Sequence, residues 1–377
     1  MNKLTVLSAF ATLAGMILFP ADCIAAAASG LETCYKIMLP ALLPFFICSK
    51  LLVKSGFAKK IGDSLGFIMR PLFNVPGCGA YAFVIGILSG FPVGAKCAAE
   101  LYGDGLCSKT ETQRLVCFCN NSGPIFIIGA VAAGMLYNRT AGIYLYTAHI
   151  LSAVTVGIIL GKVNFEKSDR QTSKHSPVKR QATGSRADIF SSSVAESVDL
   201  ILFVCGFIIF FNVFSEVLSL SGVVGLFVSA AEFFNLSEDI FTAVFYTFIE
   251  VTGGVKRLSA LPIGALRLPL ISMALGWGGL SVMLQVFGVT DGCGLSKRIF
   301  IAAKAMQSVL AGIYTALLLC LPLGDVAVFN YADAKISTGN VWTYSLLSVI
   351  SSIFILMLIN VIAACGKKLS VLKTDKA

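Results

Sequence analysis

Residues 77–103 read GCGAYAFVIGILSGFPVGAKCAAELYG. The run is apolar over most of its length, but residues 89–96 at its centre hold two glycines, a proline and a lysine. A continuous transmembrane helix is disfavoured here, because proline removes a backbone hydrogen bond and a lysine is costly in hydrocarbon. The sequence therefore predicts a re-entrant hairpin, which enters and leaves the membrane on the same side.

The composition of the whole chain indicates a membrane protein. Of its 377 residues, 56% are hydrophobic and 13% are charged, and the mean hydropathy is +0.85. Soluble domains are about 25% charged, so no soluble fold of this length could bury so much apolar surface. The apolar runs are continuous rather than alternating, which favours spanning helices of about 20 residues over the strands of a barrel.

Eight apolar runs are predicted to cross the membrane, which makes the chain an all-α polytopic protein. Their ranges are 4–28, 37–53, 115–137, 141–161, 198–218, 266–288, 300–322 and 341–363. The first run follows Lys3 and ends in alanines, so a cleaved signal peptide is an alternative. A retained span is favoured, because a second span follows immediately.

The two halves of the chain repeat one order of elements. The first half is predicted to place an interfacial helix at 57–73, the hairpin at 77–103 and a broken helix at 115–137. The second half has a hairpin at 238–262 and a broken helix at 266–288. The predicted parts in order are an N-terminal repeat 1–161, a basic linker 162–196, a C-terminal repeat 197–365 and a tail 366–377.

Lysine and arginine concentrate in residues 54–70, in the linker and in the tail, which predicts that these segments and both termini are cytoplasmic. The first hairpin directly follows the basic segment and would enter from the cytoplasm. The second hairpin follows one further span and would enter from outside. The two repeats are therefore predicted to be inverted, a pattern typical of secondary transporters.

Several other classes of protein are disfavoured. The net charge of +9 resides in connecting segments rather than in a basic patch with interleaved aromatics, so no nucleic-acid partner is expected. The 12 cysteines form no Cys-x-x-Cys pair and only two histidines are present, which disfavours a zinc or haem site. Because phosphate-binding loops and nucleophile elbows are also missing, we expect neither an enzyme nor an ATP-driven pump. Coupling would come from a sodium or proton gradient.

Intramembrane charges are the first candidates for chemistry. Lys96 would favour an anionic substrate beside the exposed backbone at Gly90 and Gly94, or it would pair with Glu100 one helical turn away. Glu250 begins the segment Glu250-Val251-Thr252-Gly253-Gly254 and would bind substrate or exchange a proton.

One alternative for Glu250 and one further charge belong with these candidates. Glu250 could instead form an ion pair with Lys256 or Arg257 that only holds its hairpin shut. Lys304 lies within an apolar run, and its long side chain is expected to extend toward the cytoplasm.

The broken helices supply uncharged polar groups. Asn120, Asn121 and Ser122 precede Gly123-Pro124, so their oxygen atoms and the freed carbonyls could bind sodium, or they could satisfy one another at a proline kink. The second broken helix carries Gly276, Gly278, Gly279 and Ser281, where close packing through small residues is the alternative to a binding role.

Five motifs together resemble the sporulation integral membrane protein YlbJ family. They are LPALLPFF at 39–46, SGFPVGAK at 89–96, CNNSGP at 119–124, EVTGG at 250–254 and GGLSV at 278–282. The similarity extends over about residues 30–365. It implies a nucleoside recognition or gate domain, similar in build to concentrative nucleoside transporters, in which the hairpins and broken helices enclose the substrate.

The resemblance also implies a site and a substrate. The substrate-binding residues would be Ser89, Gly90, Gly94, Lys96, Glu250, Thr252, Gly253 and Ser281, and a sodium site would comprise Ser89, Asn120, Asn121 and Ser122. The nucleoside transporters read the base with a Gln-Thr-Glu-like set, whereas this chain has Pro92, Gly94 and Lys96, which favours an anion.

The implied function is alternating-access transport of dipicolinate across the outer forespore membrane during sporulation. The expected location is therefore that membrane or the cell membrane, and the expected partners are a small anion and membrane lipid. A nucleoside or nucleobase transporter and a non-transporting sporulation scaffold are the alternatives. The coupling ion, the direction of transport and a homo-oligomeric state stay open.

Overall fold

A computed structural model describes residues 3–55, 57–163, 186–228, 238–262, 264 and 266–320, and the regular structure in these ranges is helical. Within them, four helical segments are long and apolar enough to cross a membrane, and a bent pair near the N-terminus would make a fifth. The four are Arg139–Lys162, Asp188–Leu220, Arg267–Val289 and Lys297–Cys320. The chain is thus a multi-pass helical membrane protein. The predicted span 341–363 and the tail 366–377 lie outside the described residues, and the count of eight spans and the inversion of the repeats stay predictions.

The described residues form a series of helices. In chain order they are α1 Lys3–Leu18, α2 Pro20–Thr33, π1 Cys34–Met38, α3 Leu39–Lys54, α4 Phe57–Phe73, α5 Gly79–Ser89, α6 Val93–Gly103, α7 Lys109–Cys119, π2 Ile125–Met135, α8 Arg139–Lys162, α9 Arg186–Leu220, α10 Val223–Val228, α11 Glu238–Ile249, α12 Val251–Ala260, α13 Arg267–Trp277, α14 Gly279–Val289 and α15 Lys297–Cys320. Here π1 and π2 are π-helices.

The interruptions lie where the sequence predicts them. The first hairpin is α5 and α6, separated at Gly90–Pro92, and the second is α11 and α12, separated at Glu250. The first broken helix is α7 and π2, which flank residues 120–124, and the second is α13 and α14, which meet at Gly278.

The first broken helix starts earlier than predicted, because α7 begins at Lys109 rather than at residue 115. A capping box explains the start. The Ser108 hydroxyl accepts a hydrogen bond from the Glu111 backbone N–H at 3.3 Å, and the Ser108 N–H donates to the Glu111 carboxylate at 2.9 Å. The polar first turn thus extends the helix beyond its apolar run.

The first predicted span, at 4–28, is not one straight helix. Helices α1 and α2 are bent by 114° around Phe19. Pro20 lacks a backbone N–H and its ring clashes with the carbonyl four residues earlier, so the hydrogen-bond ladder of α1 cannot continue through it. From Pro20 the chain runs through α2, π1 and α3 without a break, and the second predicted span at 37–53 is the end of this longer helical run.

Within the linker predicted at 162–196, the chain is helical from Arg186, where α9 begins. The hydroxyls of Ser193 and Ser197 donate to the carbonyls four residues earlier, both at 2.7 Å. The Glu196 carboxylate lies 3.2 Å from Lys50 and 2.9 Å from Lys54 of α3. These ion pairs with α3 stabilise a helix in a segment whose composition is typical of a linker.

Helices α5, α6 and α7 pack at the level of their backbones. A Cβ atom added to Gly86 or to Gly94 would lie closer to the carbonyl oxygen of Cys119 than non-bonded atoms can approach. Gly94, predicted to bind substrate, is therefore a packing residue in this structure. The contact holds the first hairpin against the helix that carries the Asn120–Ser122 break.

We expect Gly86→Ala to destabilise the protein by about 1–3 kcal/mol, because the added methyl group must displace backbone rather than a flexible side chain. The measurement is the thermal unfolding of the purified protein in detergent. Gly103→Ala is the matched control, since nothing lies within 4 Å of a Cβ there. Equal unfolding temperatures for the two variants would contradict the close packing.

Candidate functional site

The four interruptions meet around one cavity, referred to here as the central cavity. Its polar lining residues are Ser89, Ser122, Glu250, Thr252, Ser281 and Gln285. The backbone at Gly90 and the side chains of Phe45, Phe91 and Phe126 complete much of the wall. Five predicted substrate residues therefore come together here, namely Ser89, Gly90, Glu250, Thr252 and Ser281.

Two serine hydroxyls in the cavity wall are unsatisfied. Ser89 and Ser122 are 2% and 1% exposed, and neither hydroxyl has a hydrogen-bond partner among the described residues. The backbone N–H of Ser122 donates to Nε2 of His149 at 3.0 Å, so that His149 orients this segment. A buried polar group without a partner costs about 1–3 kcal/mol, which makes the two hydroxyls candidates for binding a ligand.

Glu250 is the N-cap of α12. Its carboxylate accepts hydrogen bonds from the backbone N–H groups of Thr252 at 2.8 Å and Gly253 at 2.6 Å. These bonds use two N–H groups that have no partner within the helix, and they place negative charge at the positive end of its dipole. Gly253 thus donates its backbone N–H to the Glu250 carboxylate, and it does not line the central cavity.

The alternative of an ion pair at Glu250 is wrong, because no basic group of the described residues lies within 4 Å of its carboxylate. Arg257 instead stacks on the ring of Tyr246 at 3.7 Å and donates to the carbonyl of Gly253 at 3.3 Å. Glu250 also borders a second, more polar cavity that contains Lys256 and Arg257. Its carboxylate therefore lies in a wall that two cavities share.

Lys96 lies outside the central cavity. It lines a small separate cavity with Lys50 and Phe46. The predicted pair of Lys96 with Glu100 does not form, since Glu100 lies 2.7 Å from the ammonium of Lys50. Lys50 is buried on another helix, so the i, i+4 spacing of Lys96 and Glu100 could not predict it as the partner.

The asparagines of the first break are fully buried behind the cavity wall. The backbone carbonyl of Asn120 accepts a hydrogen bond from the Lys304 ammonium at 3.0 Å. The side-chain oxygen of Asn121 accepts from the amide of Gln307 at 3.0 Å, and Gln307 itself accepts from Lys304 at 2.6 Å. The Asn121 amide donates to the carbonyl of Phe118 at 2.8 Å.

The expectation that Lys304 extends to the cytoplasm is wrong, because its side chain is 0% exposed. Helix α15 packs against α7 and α8, and this contact turns Lys304 and Gln307 inward. Sequence analysis missed Gln307 and His149. The available signal was a glutamine three residues after a lysine, on one face of an apolar helix.

In the second broken helix, Gly276 is a packing residue and Ser281 lines the central cavity. Gly276 packs closely against α15, since an added Cβ would lie 2.8 Å from the Cα of Ser308. Gly278 and Gly279 both adopt φ of +80°, which lets the chain turn between α13 and α14. Ser281, two residues later, reaches the central cavity.

Fold and site together define an integral membrane protein whose interrupted helices surround a cavity. The chain is 34% identical over 337 residues to the sporulation integral membrane protein YlbJ of Bacillus subtilis (strain 168), and the match covers 84% of this chain and 83% of that protein. The chain therefore belongs to the YlbJ family, as its motifs indicate. No family model matches it, and neither does any solved structure.

We expect Glu250→Ala to lower the free energy of unfolding by about 1 kcal/mol, because α12 loses its cap. Glu250→Asp should recover most of the loss, since aspartate is itself a strong N-cap residue. Thermal unfolding in detergent, without any substrate, measures both effects. An aspartate variant as unstable as the alanine variant would contradict the capping role.

Proposed function

We propose that this protein is a secondary transporter of a small organic anion in the membranes of a sporulating cell, and that dipicolinate is the first substrate to test. One observation carries the proposal. Residues from four separate helix interruptions, spread from Ser89 to Ser281, line a single cavity. In membranes, irregular backbone occurs where it is buried or lines a cavity, and transporters use such breaks to bind their substrates.

The preference for an anion follows from what surrounds the cavity. The helices π2, α12 and α14 all begin at its wall, and the N-terminus of a helix carries partial positive charge. Glu250 neutralises one of these termini. The unsatisfied hydroxyls of Ser89 and Ser122 add two hydrogen-bond donors that carboxylate oxygens could accept.

The remaining wall suits a flat ring. Phe45, Phe91 and Phe126 provide apolar surface against which an aromatic substrate could stack. The neighbouring polar cavity, which Glu250 also borders, contains Lys256 and Arg257 together with Glu216. The relative's name supports a role in sporulation. A small aromatic dicarboxylate fits these features together.

A nucleoside or nucleobase is the second candidate, and Glu250 is the observation that favours it. A carboxylate in the cavity wall opposes an anionic substrate, but it could accept hydrogen bonds from the N–H groups of a base. Lys96, which favours an anion in the sequence, lies in another cavity. Competition between the two substrate classes distinguishes the candidates.

The first experiment is uptake of labelled dipicolinate into vesicles that contain the purified protein, under sodium and proton gradients in turn. We expect saturable uptake, reduced about tenfold or more in the double variant Ser89→Ala/Ser122→Ala, because two hydrogen bonds of about 1 kcal/mol each are lost. Glu250→Gln should reduce uptake as well. The exposed Glu238→Gln, in the same hairpin, is the matched control and should change uptake less than twofold.

Unlabelled nucleosides are added as competitors in the same assay. Inhibition by nucleosides but not by other dicarboxylates would replace the anion with the second candidate. If neither substrate class enters vesicles with the protein faster than it enters empty vesicles, under either gradient, the transporter proposal fails. The scaffold would then be the function that fits the family.

We expect Lys96→Ala to reduce uptake much less than Glu250→Gln, because the Lys96 ammonium does not line the central cavity. The ratio of the two uptake rates, corrected for the amount of inserted protein, is the measurement. A loss for Lys96→Ala as large as that for Glu250→Gln would mean that the first hairpin moves Lys96 to the substrate during transport.

A further inference from the structure

Sodium is the ion that the chemistry of the first break and the family resemblance both imply. Two of the expected oxygen ligands already accept hydrogen bonds from the chain's own donors. The Asn120 carbonyl accepts from Lys304 at 3.0 Å, and the Asn121 side-chain oxygen accepts from Gln307 at 3.0 Å.

The oxygens left without a partner among the described residues are the hydroxyls of Ser89 and Ser122 and the side-chain oxygen of Asn120. A sodium ion on the Asn120 side chain would lie beside an ammonium that is bound to the carbonyl of the same residue. Two positive charges so close together in a buried place repel each other strongly. Asn120 therefore does not suit a sodium ion while Lys304 is bound to its carbonyl.

The Lys304 ammonium is surrounded by uncharged groups. It is fully buried, and it contacts two neutral oxygens, from Asn120 and Gln307. It also lies 5.5 Å from the centre of the Phe91 ring, a distance at which an aromatic face attracts a cation. Within the described part of the chain, no carboxylate lies within 4 Å of it.

A buried charge without an opposite charge is costly, so neutral oxygens alone are an unusual environment for a lysine. Backbone and amide oxygens are, however, the kind of ligand that replaces the water shell of a monovalent metal cation. Lys304 reaches the break from α15, 184 residues away in the chain, and it ties the C-terminal half of the protein to the Asn120–Ser122 segment.

We infer that the ammonium of Lys304 is the resident cation of the first break and takes the place of a sodium ion there. The site then requires no cation from solution. This inference concerns the folded protein, whether or not a solute crosses it. If the protein is the transporter proposed above, its transport does not require sodium.

The test uses the purified full-length protein in detergent, without substrate. Its thermal unfolding is measured in sodium chloride and in choline chloride at equal ionic strength. For the native protein we expect the same unfolding temperature in both salts over the whole concentration range. A saturable rise that is specific to sodium would overturn the inference, since a cation that binds the folded state stabilises it. This comparison uses only the native protein, so it tests the inference even if the variants below do not fold.

Two variants at the same position sharpen the result. Lys304→Ala opens the oxygens of Asn120 and Gln307, so its unfolding temperature should fall and then recover with sodium or with methylammonium, but not with choline. Lys304→Met fills the space without a charge, and its unfolding temperature should fall without such recovery. The exposed Lys297→Ala, on the same helix, should behave as the native protein. If Lys304→Ala responds to neither sodium nor methylammonium, Lys304 only fills space and the inference fails.

Because this readout needs no substrate, its result is independent of the uptake assay. Sodium-independent unfolding together with absent uptake would retain the resident cation and reject the transporter. Uptake that requires sodium would retain the transporter and reject the resident cation.

Discussion

Backbone N–H and C=O groups have no water to bond with inside a membrane, and the architecture of this protein depends on that constraint. Each interrupted helix frees several such groups at its break. The fold brings the four breaks together, where side chains from elsewhere satisfy many of these groups. Glu250 accepts from Thr252 and Gly253, and His149 accepts from Ser122. Lys304 donates to the carbonyl of Asn120.

The same constraint explains why the breaks come so close to one another. Side chains can satisfy a free backbone group only if the helices approach within hydrogen-bond distance, and glycine permits that approach. Gly86 and Gly94 let two helices of the first hairpin contact the backbone of Cys119. What remains between the breaks is a cavity with polar groups at its wall, and two of these, the hydroxyls of Ser89 and Ser122, have no hydrogen-bond partner in the part of the chain that the structure describes.

Sequence analysis located the interruptions because glycine, proline and charge within an apolar run are local signals. The breaks at 90–92, 120–124, 250 and 278 lie where such residues occur. It failed where the answer depended on a distant partner. Glu196 extends α9 by pairing with Lys50 and Lys54, and Glu100 pairs with Lys50 rather than with its neighbour Lys96. One local signal was overlooked, because Pro20 lies within the first predicted span and bends it.

The sequence by itself determined that this is a multi-pass helical membrane protein of the YlbJ family, with hairpins and broken helices at given positions. Hydropathy, chain-breaking residues and motifs are properties of short segments, so they can be recognised without the fold. Only the tertiary structure decided which polar residues share a cavity and which cation lies at the first break. Lys304 and Asn120 are 184 residues apart, and only the packing of α15 against α7 and α8 brings them into contact.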